Sequence, residues 1–204
     1  MTPDEAKRTQ QRLGVVPDGD FGRASYAALF AKMGARDNAA AFSVAAAKHF
    51  PGAGITTPLR IAHFMAQAAH ETGNFRYARE IWGPTPAQKG YEGRADLGNC
   101  IAGDGQKFLG RGVLQITGRD NYQRLGRRIG IDLVCNPARV EEPLIAVQLA
   151  CIYWSDHDLN PFADADDLLA ISNGINRGNP RSTRTPNGLD DRRKMLVRAK
   201  AVLL

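Results

Sequence analysis

The sequence predicts a mainly α-helical fold, and three segments carry that expectation. Thr57 is a good N-cap with Pro58 in the first helical position, and Gly73 supplies a left-handed stop. Between them Ile61, Phe64, Met65, Ala68 and Ala69 recur at helical spacing, which marks one core-facing side. Leu144, Val147, Cys151 and Trp154 repeat the pattern in a helix over 141–156, and a basic final helix runs over 190–203.

The remaining elements follow in chain order. Helices over 5–13 and 24–33 flank the turn Pro17-Asp18-Gly19-Asp20-Phe21-Gly22, whose Asp and Gly residues accept tight backbone while Phe21 plugs the hairpin. Gly34 ends this small unit and residues 35–40 read as a hinge, dividing the chain into segments 1–36 and 41–204. From Gly83 to Gly112 eight glycines without periodicity predict a long cleft-forming loop, holding a short strand or hairpin. Another helix is expected over 164–171.

Composition narrows the function. With 204 residues, 43% of them hydrophobic, the chain can bury a real core. The net charge of +6 favours a polyanionic partner. No module or interleaving of basic and aromatic residues identifies a nucleic-acid reader, so no specific nucleic acid is expected. Cys100, Cys135 and Cys151 are too scattered for a zinc ribbon or disulfide framework and read as free thiols. His63 and His70 lie seven apart, but the H-E-x-x-H zinc pattern fails at Asn74, and neither metal nor cofactor is expected. The start MTPDEAKRTQ lacks an apolar leader region and no apolar run is long enough to span a bilayer. The expectation is synthesis in the cytoplasm, as a monomer, with no stable membrane insertion.

Glu71 and Glu80, nine residues apart, offer the pair that acid–base hydrolysis uses, one protonated carboxyl at a leaving oxygen and a second carboxylate that attacks or activates water. Glu71 lies about 80° around the helix from Ile61, at the margin of the apolar stripe, where partial desolvation favours a proton donor. Glu80 follows beyond the Gly73 break, where a loop can carry it to the opposite wall as the base, with Glu92 in reserve.

These residues fall in His70-Glu71-Thr72-Gly73-Asn74-Phe75, Phe108-Leu109-Gly110-Arg111-Gly112-Val113-Leu114-Gln115-Ile116-Thr117 and Asn121-Tyr122. Over roughly 41–204 the combination resembles glycoside hydrolase family 19, the lysozyme-like, chitinase-type helical fold used by many phage and prophage endolysins. The resemblance implies Glu71 as general acid and Glu80 as general base in an inverting reaction. It places Gln115, Thr117, Asn121, Tyr122 and Asn176 along the sugar cleft, with Thr117 helping to hold the attacking water. Arg192 matches an arginine near the acid, although a surface arginine on a basic helix fits nearly as well.

Arg177 departs from the family's glycine after Asn176, and 179–187 reads as an altered loop. Arg111 fits either a substrate contact or an ion pair bracing its loop. Phe75, Trp82 and Tyr91 fit either sugar stacking or core. Gln10-Gln11-Arg12-Leu13-Gly14 with Asp18-Gly19-Asp20-Phe21-Gly22 is similar to half of a peptidoglycan-binding repeat and reads first as a truncated wall-binding element, with a hairpin that only packs on the main domain as the alternative.

Peptidoglycan glycan strands are therefore the expected partner, cut at β-1,4 bonds by a muramidase-like endolysin that reaches the wall after membrane permeabilisation. A chitinase and a non-catalytic wall-binding protein remain as alternatives.

Overall fold

The computed structural model describes all 204 residues. Eleven helices succeed one another: α1 (Pro3–Leu13), α2 (Arg23–Met33), α3 (Ala39–His49), α4 (Pro58–Glu71), α5 (Pro86–Lys89), α6 (Asp104–Lys107), α7 (Arg119–Ile129), α8 (Pro143–Asp156), α9 (Asn160–Asp164), α10 (Leu168–Arg177) and α11 (Leu189–Leu203). Extended pairing is confined to isolated antiparallel bridges, Arg79 with Arg111 and Arg111 with Ile116. The mainly helical expectation holds. No helix is long and apolar enough to cross a membrane.

α4 is the central element. The Thr57 hydroxyl accepts from the Arg60 amide at 3.2 Å, Pro58 starts the helix, and Gly73 turns left-handed just beyond its end at φ 57°. Its burial exceeds the expected single stripe, because every residue from Ile61 to Ala69 is buried, His63 and Gln67 included. A helix covered on all sides needs partners for its polar side chains. α11 packs along it with Arg192, Leu196, Ala199 and Leu203, Arg192 meeting Gln67, while Asp166 meets His63 from the turn before α10.

α8 divides the molecule into two packed regions. It gives Ala146, Val147, Ala150 and Trp154 to a large core shared with α2, α3, α4 and α11, and Ile145 and Leu149 to a smaller core with Phe108, Tyr122 and Leu125. A groove opens between the two regions.

The proposed hinge at 35–40 is corrected by packing. Ala35 and Ala39 are buried, a single 3-10 turn spans Arg36–Asn38, and Phe30 of α2 stacks on Phe42 of α3 at 5.3 Å. Leu29, Phe30 and Met33 thus belong to the same core as Phe64 and Trp154. The helix expected over 164–171 is two helices instead. Asp166 takes φ 57° between them and the Asp167 side chain caps α10 by accepting from the Ala170 amide at 2.9 Å. The glycine-rich stretch contains α5 and α6 as short turns, and its hairpin is the bridge at Arg111 and Ile116. The cysteines are free: Cys100 and Cys135 exposed, Cys151 buried.

His63 is fully buried, with Nε2 2.8 Å from Asp166 Oδ1 and Nδ1 without a partner. Burial lowers its pKa more than Asp166 raises it, and burial lowers His49 as well. The folded state therefore holds these imidazoles neutral at pH values where the unfolded chain, titrating near ~6.5, takes up protons. Stability should fall as pH drops below that value. The expected result is a lower Tm at pH 5.5 than at pH 7.5, with a shallower fall in His63→Gln; equal slopes would remove His63 as a source.

Candidate active site

Glu71 closes α4 and its side chain is 17% exposed. Oε1 accepts from Arg192 Nη2 at 2.6 Å, while Oε2 has no hydrogen-bond partner in the protein. Arg192 is only 1% exposed and each of its three guanidinium nitrogens donates a hydrogen bond: Nη1 to Gln67 Oε1, Nε to the Asn187 carbonyl at 3.0 Å and Nη2 to Glu71. Gln67 in turn donates to Ser172 Oγ at 3.2 Å. Beside this chain, His70 Nδ1 lies 2.6 Å from Asp191 Oδ2, joining α4 and α11 a second time. Arg192 therefore orients the carboxyl from behind and is out of a sugar's reach, a correction to its placement among the substrate contacts.

Glu80 stands on the segment that pairs with the glycine loop. Its amide donates to the Gly110 carbonyl and its Oε2 accepts from the Gly110 amide, both at 2.9 Å, while Oε1 accepts from the Tyr91 hydroxyl at 3.0 Å. Gly110 is required sterically. A Cβ there would lie 3.2 Å from Glu80 Cδ and 2.9 Å from Gln115 Oε1. Burial, followed by the charge of Glu80, raises the Tyr91 pKa to about 12, and Glu71 contributes in the same direction. Both glutamates thus lie within electrostatic reach of one phenol.

The groove encloses about 720 Å³. Gln115, Thr117, Asn121 and Asn176 line it together. Thr117 Oγ1 donates to the Gln115 carbonyl and the Gln115 amide to the Gly112 carbonyl, both at 2.9 Å, which fixes the turn that presents them. Gln115 itself takes φ 50°, a left-handed conformation that side chains rarely adopt. The two glutamates adjoin the groove without lining it. Gln115 touches the Glu80 end, and Tyr153, whose pKa is raised to about 12 by burial and then by the charge of Glu71, lines the wall near the other.

Tyr122 is a second correction. It is fully buried, donates to the Leu109 carbonyl at 2.8 Å and accepts from Arg111 Nη1 at 3.0 Å, so it braces the loop and touches no sugar. Arg111 is the bracing residue of its two readings, with Nε 2.9 Å from Glu141 Oε1. Glu92, the reserve base, braces its own loop, its two oxygens holding the Gly103 and Gly105 amides at 2.7 and 2.8 Å. Phe75 packs on Phe30 and Phe42 in the core, which removes it from the stacking candidates. No cluster of metal-ligating side chains is present.

Comparison with known proteins shows the family. Residues 32–167 match the model of glycoside hydrolase family 19, chitinase class I. The chain belongs to this family. Chitinase 6 of Oryza sativa subsp. japonica is 34% identical over 134 residues, 65% of this chain and 48% of that protein. A glycosyl hydrolase family 19 domain-containing protein of Haemophilus influenzae is 30% identical over 171 residues, 70% of this chain and 80% of that one. This chain therefore spans about half of the rice relative and most of the bacterial one. Among solved structures, chitinase C of Streptomyces griseus HUT6037 shares the fold at TM-score 0.69 and 22% identity, covering 91% of this chain and 95% of that one. The class IV chitinase of Zea mays aligns at TM-score 0.59 and 31% identity, covering 80% and 79%. The matched segment holds Glu71, Glu80, Gln115, Thr117 and Asn121, while Asn176 and Arg192 lie beyond it.

Sequence reasoning missed the grip on Glu80. Tyr91 was a stacking candidate, whereas its hydroxyl sets the carboxylate's orientation. Two substitutions separate these contacts. Tyr91→Phe should lower kcat about tenfold, with Tm nearly unchanged, since it removes one hydrogen bond to a carboxylate at a half-exposed site. Arg192→Met should cost about 3 kcal/mol or more in denaturant unfolding, because Glu71 and Gln67 lose a buried partner, and should lower kcat further than Tyr91→Phe.

Proposed function

We propose that this family 19 glycosidase hydrolyses the β-1,4 glycan strands of bacterial peptidoglycan, an endolysin-type activity, with Glu71 as general acid and Glu80 as general base. The observation that carries the reading is the pair of differently held carboxyls beside one polar groove. Glu71 has one oxygen fixed by a buried guanidinium and Oε2 left open to protonate a leaving oxygen. Glu80 has both oxygens accepting, from a backbone amide and a phenol, the posture of a group that receives a proton from water.

In the proposed reaction the strand lies along Gln115, Asn121 and Asn176, whose amides both donate to and accept from hydroxyl and acetamido groups. Glu71 Oε2 gives its proton to the glycosidic oxygen as the bond breaks. Glu80 takes a proton from one water, which attacks the anomeric carbon from the opposite face. Thr117, whose own proton is committed to the Gln115 carbonyl, accepts a hydrogen bond from that water. The inverting course needs room for one water, and carboxyls about 6.5 to 9.5 Å apart provide it.

Chitin is the second reading. The rice, maize and Streptomyces proteins are named chitinases, and the same acid and base serve a polymer of N-acetylglucosamine. The net charge of +6 favours the anionic wall over neutral chitin. Rates on purified peptidoglycan and on chitin oligomers decide between them.

Glu71→Gln and Glu80→Gln should each lower turnover on the preferred polymer by about a thousandfold or more while substrate pelleting persists. Full activity in either variant would remove that residue from the chemistry. Retained lysis by both would favour a non-catalytic wall binder.

A further inference from the structure

The groove has a strongly basic end that acid–base chemistry does not use. Between Leu168 and Leu189 the chain has no acidic residue, yet it carries Arg177, Arg181 and Arg184. Arg177 and Arg184 line the groove together with Asn176. Neither pairs with a carboxylate. Arg177 spends one donor on the Thr185 carbonyl at 2.9 Å, and the Arg184 side chain makes no hydrogen bond at all.

The other groove arginines have carboxylate partners. Arg94 grips Asp96 through two hydrogen bonds of 2.7 and 2.5 Å, and Arg124 pairs with Asp156 at 2.8 Å. The loop between α10 and α11 is also anchored. Buried Asn173 donates to the Ser182 carbonyl at 2.9 Å, Asn176 Oδ1 accepts from the Asn187 amide at 3.1 Å, and Pro180 packs over Gly174. A held loop that presents two unpaired guanidinium groups to a glycan groove is built to meet negative charge.

We propose that Arg177 and Arg184 form an anion subsite that binds the stem-peptide carboxylates of the strand being cut. The inference rests on the peptidoglycan reading and makes it more specific: the loop that departs from the family pattern selects a charged polymer over neutral chitin. Each guanidinium offers paired N–H donors that match a carboxylate in the plane of the fork.

The test uses one teichoic-acid-free peptidoglycan preparation, before and after conversion of its carboxyl groups to amides, with the full chain, Arg177→Ala/Arg184→Ala and Arg177→Lys/Arg184→Lys. Amidation should lower kcat/KM of the unaltered protein about tenfold, chiefly through KM. The alanine pair should start about tenfold low on native peptidoglycan and respond little to amidation, while the lysine pair keeps most of the sensitivity. Equal sensitivity in the unaltered protein and the alanine pair, or none in either, would overturn the subsite. Sensitivity that appears only on walls still carrying teichoic acid would assign the arginines to phosphate and overturn the carboxylate reading. Chitin cleavage without peptidoglycan cleavage would overturn the proposed function itself.

Discussion

The site depends on a guanidinium that solvent cannot reach. Arg192 enters the interface between α4 and α11 and divides its donors among Gln67, the Asn187 carbonyl and Glu71. An arginine at this depth is tolerated only when polar acceptors surround its guanidinium. The requirement works in both directions, since the same contacts that make the arginine acceptable fix the rotamer of Glu71 and the register of α11 on α4. The most buried helix of the fold thereby ends in a carboxyl aimed outward, with one oxygen free.

The opposite carboxyl is held by different means. Glu80 has no helix behind it and relies on the short pairing with Gly110, the Tyr91 hydroxyl and a turn through Gly112 to Gln115. The backbone there is strained as well as tight, with Asn74 and Phe75 at φ near 60° and Gln115 at 50°. A rigid helical core carries Glu71 and a braced loop carries Glu80. The loop in turn leans on Arg111, which joins Glu141 and Tyr122 below the groove.

Much of this was legible in the residues, for reasons that differ by element. α4 announced itself through its cap, its proline and its apolar spacing. α3 did not, because Ala39–His49 is mostly alanine and small residues give little contrast between faces; alanine's high helix propensity was the unused signal. α7 carries two residues that the resemblance placed along the cleft, and helical winding from Arg119 turns Tyr122 inward while leaving Asn121 at the groove. The four groove residues came from motif positions, whereas the contacts holding the two glutamates did not. Tyr91 meets Glu80 across a loop of irregular geometry, and Arg192 meets Glu71 across 121 residues, separations that local pattern does not encode.

The most direct measurement of the central claim, an acid and a base acting on opposite faces of one bond, is the anomeric form of the first product, read by proton NMR within seconds of mixing. Release of the α-anomer at the new reducing end from a β-linked strand is the expected result, since one water activated by Glu80 must invert the centre. Release of the β-anomer would require two successive displacements through a covalent intermediate, and would contradict Glu80 as the base of a single displacement.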